Sequence, residues 1–157
     1  MRPFLTKAIL ALAITTVAAF GADNTLGTWK LNIEKSKSTP GPMPVKTLTV
    51  TREASGGGVK VTSTGERTDG TAINASYTTK YDGTASTVTG TNLLYDTISI
   101  KQVDANTLTD ARKKTGGKYQ ATGRTVISNA SKTMTTTTKG TDTDGKTFTT
   151  SLVFDKQ

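Results

Sequence analysis

The sequence predicts an all-β fold, an antiparallel up-and-down β-barrel of about eight to ten strands. Three observations carry this. Threonine supplies 35 of the 157 residues, and its branched Cβ suits the pleated, half-buried surface of a strand better than a helix. Apolar residues recur at every second position through most of the chain, so each such run has one inward face. Glycine pairs and Asp-Gly steps punctuate the runs and supply the positive φ at which hairpins reverse.

The first segment, 27–33, opens with Gly27-Thr28-Trp29-Lys30-Leu31 and holds the sole tryptophan. Trp29, Leu31 and Ile33 share one face and are expected in the core. In residues 34–44, Pro40, Gly41, Pro42 and Pro44 forbid a regular helix, and an irregular exposed connection is expected. Segment 45–53 alternates through Leu48 and Val50, turns at Gly56-Gly57-Gly58, and returns as 58–65 with Val59 and Val61. After Asp69-Gly70 comes 72–81, with Ile73, Ala75 and Tyr77 on one face, and Asp82-Gly83 leads to a short segment, 86–90. Segment 96–103 carries Ile98 and Ile100, and 107–114 carries Leu108. Past Gly116-Gly117 lie 119–128 and the threonine-rich 132–139. The Asp144-Gly145 turn then leads into 147–155, with Phe148, Leu152 and Phe154. Gly65 to Gly70 and Gly140 to Gly145 both read Gly-x-x-Thr-Asp-Gly, as two similar hairpin turns of one barrel.

Residues 1–21 read as a secretory signal, and 22–157 as a single barrel domain. Arg2 and Lys7 form the charged start, residues 8–20 the apolar run, and Gly21 and Ala22 the small residues at a cleavage point. The apolar run falls short of the roughly 20 residues a spanning helix needs, so a mature chain without a transmembrane segment is expected in the periplasm or outside the cell. The chain has no cysteine, which removes disulfides and a lipid-modified leader alike. An outer-membrane barrel is disfavoured, because segments such as 133–139 hold one Met among threonines and a lysine rather than a lipid-facing apolar side.

The formal net charge of +8 falls by two, to +6, once Arg2 and Lys7 are removed. The lysines are dispersed, and one Trp, four Tyr and four Phe offer few stacking platforms, so nucleic acid is not the expected partner. The densest basic group, Arg112-Lys113-Lys114 with Lys118, flanks Gly116-Gly117 and reads as the end of a hairpin. A basic exterior attracts anionic envelope surfaces weakly and without specificity. No enzyme is expected. Without His or Cys the chain lacks a Ser-His or Cys-His nucleophile pair, and a zinc site would rest on carboxylates alone. Asp69, Asp82 and Asp144 read as turn residues, and no metal or cofactor motif stands out.

Gly-Thr-Trp-Lys-Leu at the start of the first strand, a meander of this length and the ending Val153-Phe154-Asp155-Lys156 resemble the calycin superfamily, the lipocalins and fatty-acid-binding proteins. Tyr81-Asp82-Gly83 and Asp144-Gly145-Lys146 are similar to segments of small exported bacterial proteins with lipocalin-like domains. The resemblance implies that Trp29 is structural, closing the barrel floor against a basic side chain from a late strand. Two departures limit what it implies for ligands. The proline-rich 34–44 cannot form the helical lid of fatty-acid-binding proteins, and Leu152-Val153-Phe154 stands where they carry an Arg-x-Tyr clamp.

One constellation bears on binding. Counting from Leu108 places Asp110 and Arg112 on the same face; if it points inward the charged pair must be satisfied by itself or by a ligand, and the alternative is a salt bridge at the rim or on a solvated face. The face of Arg124 is open: Val126 draws it inward, whereas Tyr119, Ala121 and Ile127 draw the opposite face inward. Tyr77 and Tyr81 would line the same interior, with Ile100 covering the apolar part of a ligand. The expected function is therefore an exported lipocalin-like barrel that binds a small apolar or anionic amphipathic molecule. The alternative is a filled, ligand-free barrel serving as a structural or interaction module of the envelope.

Overall fold

The computed structural model describes residues 23–128 and 130–157, so the expected signal segment lies outside the described residues. Eleven strands follow in chain order: β1 (Gly27–Thr39), β2 (Val45–Ser55), β3 (Gly58–Arg67), β4 (Ala72–Thr79), β5 (Asp82–Thr87), β6 (Thr89–Thr91), β7 (Thr97–Asp104), β8 (Thr107–Lys113), β9 (Gln120–Ile127), β10 (Thr133–Thr141) and β11 (Thr147–Lys156). They form one antiparallel sheet in the order β5-β7-β8-β9-β10-β11-β1-β2-β3-β4-β6. Because β11 returns to pair with β1, as in Leu31 opposite Phe154, the sheet curls into a nearly closed barrel. Among the described residues no helix is long and apolar enough to cross a membrane.

All ten expected segments are strands, but the fifth is divided. In place of one strand at 86–90, β5 pairs with β7 and β6 pairs with β4, so this stretch straddles the seam between the two edges of the sheet. Val88 marks the switch: its side chain is buried, and its N–H leaves the ladder to donate to the Asp96 carbonyl. Gly90, at φ 145°, lies so close to the Asn74 carbonyl that no Cβ fits there.

A second difference concerns 34–44. β1 does not end at residue 33 but continues to Thr39, with Lys37, Ser38 and Thr39 opposite Ser151, Thr150 and Thr149. The irregular part is confined to the residues around the prolines. The register slips between Asn32 and Lys37, and this bulge is held locally. The Ser36 hydroxyl donates to the Asn32 carbonyl at 2.7 Å while accepting the Val153 N–H at 2.9 Å. The bulge also turns Ile33 outward, 43% exposed, where strict alternation placed it in the core.

The core gathers where the chain enters the barrel. Trp29 is wholly buried among Val50, Met134 and Phe154, and its Nε1–H donates to the Thr25 carbonyl at 2.9 Å. The Lys156 ammonium sits 5.0 Å from the Trp29 ring centroid. The first-strand tryptophan therefore lies under a basic side chain from the last strand, the arrangement that the resemblance implied.

Candidate functional site

The barrel encloses a cavity of about 390 Å³, within the range of small-molecule sites. At one end it is bounded by loops carrying Pro42, Leu93, Leu94 and Thr143, which form the mouth. At the other, Thr25, Trp29, Tyr81 and Ile127 pack into a floor. Val61, Tyr77, Ile98 and Ile100 line the wall between them. Each comes from a different turn of the same alternation, since every second residue of an antiparallel strand faces inward.

On β8, Leu108, Asp110 and Arg112 all face this space, running from the floor toward the mouth. Arg112 Nε donates to Asp110 Oδ1 at 2.6 Å and Nη2 to Oδ2 at 3.2 Å, a two-pronged grip along one strand. The side chains are only 6% and 20% exposed for Asp110 and Arg112 respectively. Across the ladder from Asp110 is Gly123, where any Cβ would collide with the carboxylate. Tyr95 lies 5.5 Å from the Arg112 guanidinium and stacks on Tyr119 at 5.9 Å, and Tyr119 in turn meets Phe148. Burial disfavours the Arg112 cation, but the Asp110 charge and hydrogen bond, with Tyr95 and Tyr119, together outweigh it and raise the pKa well above the ordinary arginine value. Burial also pushes the Tyr77 phenol far above its usual value, against the opposing pull of Arg52.

The remaining expected residues divide. Tyr77 and Ile100 line the cavity as anticipated. Tyr81 does not. The strand ends at Thr79, and Tyr81, at φ 59°, drops its ring into the floor, where its hydroxyl meets the Thr25 hydroxyl at 3.0 Å. Arg124 is also removed from the site. Ala121, Thr125 and Ile127 are the buried face of β9, so Arg124 and Val126 point outward, with Val126 41% exposed.

Arg52 was missed. It follows Leu48 and Val50 on the inward face of β2 and is 7% exposed, a position that alternation alone would have identified. Its Nη1 donates to the Tyr81 hydroxyl at 3.0 Å, while its buried Nε has no acceptor. Tyr95, Tyr119 and Phe148 around Arg112 were also not singled out. Their meeting depends on loops and strands far apart in the chain.

No protein-family model matches the sequence, and no curated protein does. Among solved structures the chain is similar to a redesigned β-barrel, mFAP1, bound to DFHBI, with a TM-score of 0.41 and 17% identity over 82% of this chain and 94% of that one. The barrel described above rests on the strand pairing of this chain itself.

Proposed function

We propose that this chain is an exported, non-catalytic binding protein that holds a small apolar or amphipathic molecule inside its barrel. The observation that carries the reading is the open-mouthed cavity of about 390 Å³ inside the barrel, walled by Val61, Ile98 and Ile100 and furnished with the Asp110–Arg112 pair. A barrel acting only as an envelope module has no need of such a space, since interiors otherwise fill to crystal-like density. The outward face of β9, with Gln120, Thr122 and Arg124, suits water rather than lipid, which supports a barrel that does not sit in a membrane. A binding role fits a chain with neither His nor Cys.

Native mass spectrometry of freshly purified protein tests the reading. A mass increment of a few hundred daltons that dissociates on activation is the expected result. A bare barrel that binds no member of an amphiphile panel would favour the filled-module alternative. The same spectrum reads the N-terminus, expected between Phe20 and Asn24, and a membrane-bound product retaining Met1 would refute export with cleavage.

A further inference from the structure

We infer that Arg52 binds the anionic head of the ligand, so that the cavity selects an amphiphile with one singly charged oxyanion, inserted head-first with its apolar part toward the mouth. This rests on the cavity-binding reading above and deepens it.

The argument begins with charge. Two guanidinium groups, Arg52 and Arg112, and one carboxylate, Asp110, line the inner cavity; Arg67 and Asp142 also line it but belong to the mouth, where Arg67 donates to the Asn92 carbonyl and Asp142 accepts turn amides. Asp110 is committed to Arg112 by two hydrogen bonds. Among the described residues no carboxylate lies within 4.0 Å of Arg52. Its one side-chain partner is the Tyr81 hydroxyl, and its Nε–H points at no acceptor. A buried cation with an unfilled donor is costly unless something else completes it. The interior therefore carries one uncompensated positive charge, which matches a ligand with one negative charge.

Position completes the argument. β2 runs from the mouth, where Val45 follows the proline loop, toward the Gly56-Gly57 turn at the floor, so Arg52 lies deep. Arg112, two residues along β8 from Asp110, is nearer the mouth. A molecule that reaches Arg52 lays its apolar part past Val50, Val61, Tyr77 and Ile98, all lining the same space. Burial disfavours the Arg52 cation, but Tyr81, Tyr77 and Asp110 together outweigh that and keep it charged.

Fluorescence titration with 1-anilinonaphthalene-8-sulfonate and with N-phenyl-1-naphthylamine, the same aromatic frame without the sulfonate, tests this. The wild type should prefer the sulfonate probe. Arg52→Met should weaken that probe by about tenfold or more, the scale of a lost charge-assisted hydrogen bond, and change the neutral probe less than about twofold. Arg52→Lys should retain part of the preference. If both probes bind and Arg52→Met weakens them equally or not at all, the role of Arg52 is overturned while the cavity reading stands. If neither probe binds the folded wild type, the cavity reading falls and this inference with it. Should Arg52→Met fail to fold, the wild type decides: the Arg52 Nε–H resonance should shift on adding decanoate and not on adding decanol. An unmoved resonance overturns the assignment.

Discussion

Gly123 lies across the β8–β9 ladder from Asp110, and the absence of a side chain there leaves the space that the Asp110 carboxylate fills on its way to Arg112. Gly123→Ala should therefore destabilise the fold by about 1–3 kcal/mol, the usual cost of overpacking. Because the two residues share one space, Asp110→Ala combined with Gly123→Ala should cost less than the sum of the single changes. Urea unfolding of the four proteins measures this, and strict additivity would show that the contact has no energetic weight.

The Asp110–Arg112 pair gives a prediction in which stability and binding separate. Removing either partner strands a charge in a poorly solvated space, at a cost of about 3 kcal/mol. Both Asp110→Asn and Arg112→Leu should thus unfold at lower denaturant. Their effects on an anionic probe should be opposite, since Asp110→Asn raises the positive charge of the cavity and Arg112→Leu lowers it. Shifts in the same direction would show that the probe does not enter the cavity.

Trp29, wholly buried with its Nε1–H satisfied by the Thr25 carbonyl, should emit well to the blue of free tryptophan. Trp29→Ala should cost about 3–5 kcal/mol through lost burial and the cavity left behind. Removing the cation above the ring by Lys156→Met should cost only about 0.5–1 kcal/mol. Thermal unfolding of both variants, with emission spectra of the wild type, decides.

Acid should weaken the turns before the core. Asp69, Asp96 and Asp104 accept hydrogen bonds chiefly from nearby turn or loop amides, Asp96 from the Thr115 N–H, and Asp82 first from the Thr84 hydroxyl and then from its N–H; those bonds hold each carboxyl below the ordinary 3.8. A depressed folded-state pKa contributes stability that is fully present above the unfolded value and is lost as pH falls through the folded one. Stability should therefore hold from neutrality to about pH 4 and decline below it. Asp96→Asn should be less stable at neutral pH and show a shallower acid decline. An equal decline in both proteins would remove Asp96 from the account.

Much of this molecule was legible as local chemistry. The alternation through Val59 and Val61 and through Ile98 and Ile100, with Asp-Gly at 69–70 and 144–145, located the strands and hairpins. Strand facing is a property of residues two apart, and turn chemistry of residues one to four apart. The same reasoning put Asp110 and Arg112 beside Leu108, and their grip is a contact between near neighbours on one strand. Where a local rule was broken by a distant partner, the expectation failed. Ser36 folded β1 into a bulge against Val153 and turned Ile33 outward, and Tyr81 left its strand to meet Thr25.

By itself, then, the amino-acid order determined an all-β chain, a buried Trp29, and a charged pair sharing one strand face with Leu108, because each follows from the two-residue repeat of the pleat and the steric needs of turns. The tertiary structure alone decided that the face of Asp110 and Arg112 points inward, that Arg124 faces water, that residues 82–91 split across the seam, and that the inward-facing Arg52 has no carboxylate of its own. Those outcomes depend on how the sheet curls and on which side chains, far apart in the chain, then meet across its interior. No repeat in the sequence encodes such a meeting, since it is set by the closure of the barrel and the space that closure leaves.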